Sequence, residues 1–100
     1  MRNNVYRQYH AEMGYSRGEL LREIPNAVAP YPVAMQEDGC AAMRLDGRCA
    51  MLRISNDRSR ALGSLVLPVI DVAIHFENFT EQQYQEFVDR FRIRLQRGGG

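Results

Sequence analysis

Only a few side chains in this sequence could do chemistry, and most of them fall in two stretches. Cys40 and Cys49 are the two thiols. His10 and His75 are the two imidazoles, and His75 stands between Asp71 and Glu77. A thiol beside an imidazole and a carboxylate could in principle become a nucleophile. No segment carries a recognised catalytic signature: no G-x-S-x-G, no H-E-x-x-H, no phosphate-binding glycine loop and no G-x-G-x-x-G. Neither cysteine belongs to a C-x-x-C, and a three-ligand zinc site lacks partners at usable spacing. The residues call for no metal, no cofactor and no catalytic group.

The elements that must position these residues follow from pattern. Asp38-Gly39 and Asp46-Gly47 each read as a two-residue hairpin turn, separating strands at Val33–Glu37, Cys40–Leu45 and Arg48–Ile54. The second turn sets Leu45 opposite Arg48 and Met43 opposite Ala50. Ala41, Met43, Leu45, Ala50, Leu52 and Ile54 then share one face, the core side. Cys40, Ala42, Arg44, Cys49, Met51 and Arg53 share the other. Ser55–Ser64 reads as a polar connector. A long strand over Leu65–Phe76 turns Ile70, Val72, Ile74 and Phe76 inward and Asp71, Ala73, His75 and Glu77 outward. Leu65, Leu67 and Val69 have the opposite parity, so a bulge or edge irregularity is expected at Pro68.

Two helices flank these strands. Ser16 followed by Glu19 is a capping box, with Tyr15 and Leu20 at the staple positions. Leu20, Leu21 and Ile24, continued by Ala27–Val28, form its apolar stripe. Pro25 and Pro30 keep it short. Thr80 and Gln83 form a second box with a Phe79–Tyr84 staple. Tyr84, Phe87, Val88, Phe91 and Leu95 fit one helical face. Residues 1–14 read as a flexible arm or a short helix, 15–97 as one domain and 98–100 as a glycine tail. The fold expected is α+β: a two-layer sandwich of a four-stranded antiparallel sheet with both helices on one face, in the order α-β-β-β-β-α.

Composition bounds the function. The chain has 100 residues, 45% hydrophobic and 25% charged, with a net charge of +1. That is one domain with one modest core and no strong field toward nucleic acid or membrane. No stretch approaches a membrane helix and the first residues do not resemble a signal peptide, so the expected location is the cytoplasm. The outward face, with Ala42, Cys49, Met51 and Ala73 among its residues, is less polar than a plain solvent face. Met51, Cys49, Ala73 and His75 are therefore the candidate binding residues, for a protein partner or a second copy in a homodimer. Arg90, Arg92, Arg94 and Arg97 are a candidate anion-binding cluster. Cations at a helix C-terminus also complement its dipole, and nucleic acid is not the expected partner. Gly98-Gly99-Gly100 has the form of a sulfur-carrier tail, with Gly99 and Gly100 as the residues that would thread an activating enzyme. It equally has the form of a helix stop.

The segments Leu67-Pro68-Val69-Ile70-Asp71-Val72, His75-Phe76-Glu77, Phe79-Thr80 and Gln96-Arg97-Gly98-Gly99-Gly100 resemble a group of small uncharacterised proteobacterial proteins. They are also similar to the C-terminal domain of some relatives of the molybdopterin synthase small subunit. The resemblance covers roughly Met13–Gly100 and its motifs are structural. It implies a two-layer α/β sandwich and no established activity; an accessory role in sulfur-carrier or molybdopterin chemistry, using the C-terminal glycines, is the alternative reading. The chain lacks the β-grasp order of true sulfur carriers, in which a hairpin precedes the main helix.

The hairpin register predicts the state of the thiols. Cys49 pairs across with Arg44 and not with Cys40, an offset of about 13 Å at ~3.4 Å per residue. A disulfide needs Cα atoms within about 7 Å. Intact mass under non-reducing conditions is expected to equal that of the fully reduced chain; a mass two hydrogens lower, with a mapped internal bridge, would contradict the register.

Overall fold

The computed structural model describes residues 6–96, an α+β domain of six strands and two helices. The strands are β1 (Tyr6–Met13), β2 (Val33–Met35), β3 (Cys40–Leu45), β4 (Arg48–Ile54), β5 (Arg58–Leu62) and β6 (Leu65–Glu77). The helices are α1 (Arg17–Ala27) and α2 (Glu81–Arg94). The main sheet runs β1-β6-β4-β3-β2, antiparallel throughout, and β5 pairs with β6 beyond the end of β4.

Two expectations change. The segment read as an arm or short helix is instead an edge strand over Tyr6–Met13, aligned with β6 from Tyr6↔Glu77 to Met13↔Ile70. Its period is two: Tyr9, Ala11 and Met13 are half-buried while Gln8, His10 and Glu12 are exposed. The segment read as a polar connector contains β5, which folds back on β6 through a turn at Gly63-Ser64. Six strands therefore replace four, and the order becomes β-α-β-β-β-β-β-α.

The hairpins differ in kind. Asp46 and Gly47 both take positive φ, 52° and 79°, as a type I′ turn requires. The Leu45↔Arg48 and Met43↔Ala50 pairs follow as expected. At the first turn only Gly39 has positive φ. The Gln36 N–H donates to the Cys40 carbonyl at 2.9 Å. The loop is thus three residues, 37–39, and β2 ends at Met35.

Both capping boxes form as the sequence reads. Ser16 and Glu19 bond reciprocally, as do Thr80 and Gln83. The buried side chains of both helices join one core with the inward residues of β3, β4 and β6. At its centre Phe76 receives Phe79, Tyr84 and Phe87 edge-on, with ring centroids 4.9, 5.0 and 5.1 Å away. Tyr15 ties the two helices together: its hydroxyl donates to the Leu95 carbonyl, at the end of α2, at 2.9 Å. Ile93, the residue that breaks the α2 stripe, is 69% exposed.

This packing sets an order of mutational effects. Phe87→Ala removes a buried ring and should cost about 3–5 kcal/mol. Glu81→Ala removes an exposed carboxylate from its ion pair with the half-buried Arg7, a change worth about 1 kcal/mol. Urea unfolding should rank them in that order; the reverse would put α2 in the wrong register.

Candidate functional site

Because both helices lie on the inner face, the outer face of the sheet has no helix over it among the described residues. Its side chains fall in rows across the strands. One row is His10, Ala73, Arg53 and Cys40. The next is Gln8, His75, Met51, Ala42 and Ala34. The third carries Glu77, Cys49 and Arg44. The middle row carries no carboxylate and no arginine, so a band whose one ionisable side chain is His75 crosses the sheet between rows that carry Arg53 and Glu77. Ala42 in that band is 1% exposed although it lies outside the main core.

Alanine at position 73 leaves β6 low between its neighbours, and the face sinks into a trough there. One part, of about 260 Å³, is lined by Gln8, His10, Cys40, Met51, Arg53 and His75 around Ala73. A second part of about 520 Å³ continues past His10, Arg53 and Ala73 to Glu12, Ser55 and Asp71. Three of the four candidate residues, Met51, Ala73 and His75, are thus brought together in the trough. Cys49 is not. It sits opposite Glu77, one row away, and Cys40 takes its place in the lining. Gln8 and His10 were missed because residues 1–14 were not read as a strand. The alternation of Gln8, His10 and Glu12 with Tyr9, Ala11 and Met13 was the available signal.

The cross-strand partner of Cys49 is the Glu77 carboxylate and that of His75 is Met51. The His75 Nε2 lies 3.5 Å from the Glu77 carboxylate. Both cysteines are free and half-buried, and no cluster of three metal-ligating residues occurs among the described residues.

The arginines of α2 disperse. Arg94 donates to the carbonyls of Asn26 and Ala29, at 3.0 and 2.8 Å, closing the end of α1. Arg92 turns toward β1, beside Tyr9 and Met13. Arg90 lies on the Tyr31 side, where its charge acts on the phenol. Arg97 and the glycine tail, with Gly99 and Gly100, lie outside the described residues.

A charged cluster marks the upper end of the trough. Arg58 grips Asp71 with two nitrogens, at 3.1 and 2.9 Å, and reaches Glu12 at 3.1 Å; Arg60 reaches Glu12 at 2.7 Å. These contacts clamp β5 to β6 and β1 on the outer face. Hydrogen bonds from Arg58 and Arg60 hold the Glu12 carboxyl below the usual glutamate range. Comparison with protein-family models, curated proteins and solved structures returns no match.

The sign of the pH effect follows. Glu12 has a lowered folded-state pKa, so its contribution is present above the ordinary glutamate value and is lost as pH falls through the lowered one. An NMR titration should place the Glu12 midpoint below that of an unpaired glutamate, and Arg60→Gln should raise it. A midpoint at the ordinary value in the unaltered chain would mean that the clamp does not form in solution.

Proposed function

We propose that this chain is a non-catalytic binding module whose outer sheet face is the docking surface for a protein partner. The observation that carries this reading is the weakly polar band over Gln8, His75 and Met51, which borders the trough at Ala73. A sheet face that only meets water alternates polar side chains along every strand. Here Ala73, Met51 and Ala42 occupy outward positions of the three central strands, with Ala42 itself covered. Methionine adapts its shape to a partner without rigid pre-fitting. The charged rows on either side would form a polar rim around a less polar centre, the usual anatomy of an interface.

The arginine cluster supports an anion-binding reading less well, because Arg94 is engaged with backbone carbonyls and Arg92 points away from Arg90. No helix among the described residues is long and apolar enough to cross a membrane.

A photo-crosslinking amino acid tests the face. Arg53 is exposed and borders both parts of the trough, whereas Gln85 is exposed on α2. Benzophenone-alanine at position 53 should give a light-dependent adduct to a protein chain in the source cells, and at position 85 none. Adding Met51→Glu should remove the adduct while far-UV circular dichroism stays unchanged. Equal yields from positions 53 and 85, or none from either, would overturn the reading; unfolding by Met51→Glu would instead place Met51 in the core.

A further inference from the structure

The feature that the docking surface leaves unexplained is the hairpin of β5 and the first part of β6. Strand β6 is 13 residues long, but β1 and β4 pair only with its second half. From Leu65 to Val69 its sole sheet neighbour among the described residues is β5. Every residue from Asn56 to Pro68 is exposed. The hairpin is therefore an arm that extends beyond the ends of β1 and β4, and the domain is elongated, with extents of 55 × 27 × 22 Å.

An arm of this kind is poorly suited to water. A two-stranded ribbon alone is at best marginally stable. This one exposes Leu62 by 54%, Leu65 by 61%, Val66 by 69% and Leu67 by 40%. No charged residue occurs between Arg60 and Asp71, so a nucleic acid or an acidic peptide has nothing to grip at its tip. An apolar arm calls for a surface with an apolar floor, and Ala73 with Met51 supplies one between charged walls.

The orientation of the arm names that surface. Arg58 and Arg60 bond Asp71 and Glu12 on the outer face, so their side of the arm is the outer side. The register places Leu67 opposite Arg60 and Leu65 opposite Leu62. By parity Leu62, Leu65 and Leu67 therefore lie on the same face of the ribbon as the residues of the trough. The arm cannot fold onto the trough of its own chain, because both belong to one continuous strand. A second copy, turned over by a two-fold axis, brings its own arm against that face.

The spacing fits such an axis. About Ile70 as midpoint, Leu67 and Ala73 lie three residues to either side, and Leu65 and His75 lie five. At ~3.4 Å per residue these are matching offsets of about 10 and 17 Å. Rotation about that point sets Leu67 over the low point at Ala73 and Leu65 over the band beside Met51. The charges near the axis, Glu12 and Asp71 with Arg58 and Arg60, balance within each copy. The arrangement is isologous and closed, the commonest form of protein oligomer.

We infer that two copies of this chain form a dimer by exchanging arms, the β5–β6 hairpin of each lying on the outer sheet face of the other. This rests on the docking-face reading and supplies its occupant. Strict edge pairing is a less fitting use of the arm, since Pro68 lacks the N–H that its free edge would need.

Sedimentation equilibrium of the purified full chain from 1 to 200 µM tests the exchange. The unaltered chain should be a dimer within that range. Leu65→Asp, at an exposed position, and Met51→Glu should each weaken it at least tenfold without loss of circular dichroism. An equimolar mixture of the two variants should be heavier than either alone, because one intact arm then meets one intact face. Benzophenone-alanine at position 53 should join the partner copy within residues 61–67. A chain that stays monomeric at 200 µM overturns the inference, as does Leu65→Asp dimerising like the unaltered chain. In the first case an adduct from position 53 to a different protein would leave the docking face standing. Loss of dimer in Leu65→Asp but not in Met51→Glu would remove both the exchange and the face.

Discussion

Strand β6 has to serve two environments at once, and the domain is arranged around that demand. Its even-numbered residues from Ile70 to Phe76 are almost wholly inaccessible and meet both helices. Its odd-numbered residues form the centre of the outer face. Hydrogen bonding on both edges, to β1 and β4, allows the second half to be buried on its inner side without orphaned backbone groups. Phe76 then anchors the aromatic cluster that fixes α2, and Tyr15 links α1 to the end of that helix.

The passage from sheet to arm is built by one extra residue. Ile54 pairs with Val72 and Arg58 with Val69, so three residues of the β4–β5 connection face two of β6. Ser55 bridges the mismatch: its N–H donates to the Asp71 carbonyl and its hydroxyl accepts the Asp71 N–H, both at 3.0 Å. The Asp57 carboxylate accepts the Arg17 N–H at the start of α1. The connection is thereby fastened to the helix, and the arginine clamp holds β5 down on the outer side. Exposed ion pairs contribute little to global stability. Here they fasten β5 to β6 and β1 on the outer side.

Much of the inner architecture was legible in the sequence because local chemistry and global packing agree there. Both capping boxes, the Asp46-Gly47 turn and the faces of β3 and β4 are of this kind. The α2 stripe is legible through Leu95 because Ile93 alone violates it, and Ile93 is solvent-exposed. Legibility failed where a segment has no inner face of its own. Arg58–Leu62 looks like a connector because its strand is wet on both sides. The opposite parity of Leu65, Leu67 and Val69 reads as a bulge or edge irregularity at Pro68; β6 runs on without a bulge, and the irregularity is the extra residue in the connection before β5. The parity of those three residues marks apolar side chains on the outer face. For the site, Met51, Ala73 and His75 were within reach of the hairpin register. Gln8 and His10 were not, since the pairing of β1 with β6 spans most of the chain and leaves only a weak alternation as its trace.

Residue-resolved amide hydrogen exchange along β6, at two protein concentrations, tests the central claim most directly: one strand is core in its second half and incomplete in its first. In dilute solution the amides of Ile70, Val72, Ile74 and Phe76 should exchange slowly, near the rate set by global unfolding. Those of Leu65 and Leu67 should exchange far faster, through local opening of the arm. Raising the concentration should slow the arm amides and leave the others unchanged. Uniform protection along β6 at both concentrations, or arm amides that ignore concentration, would contradict the account.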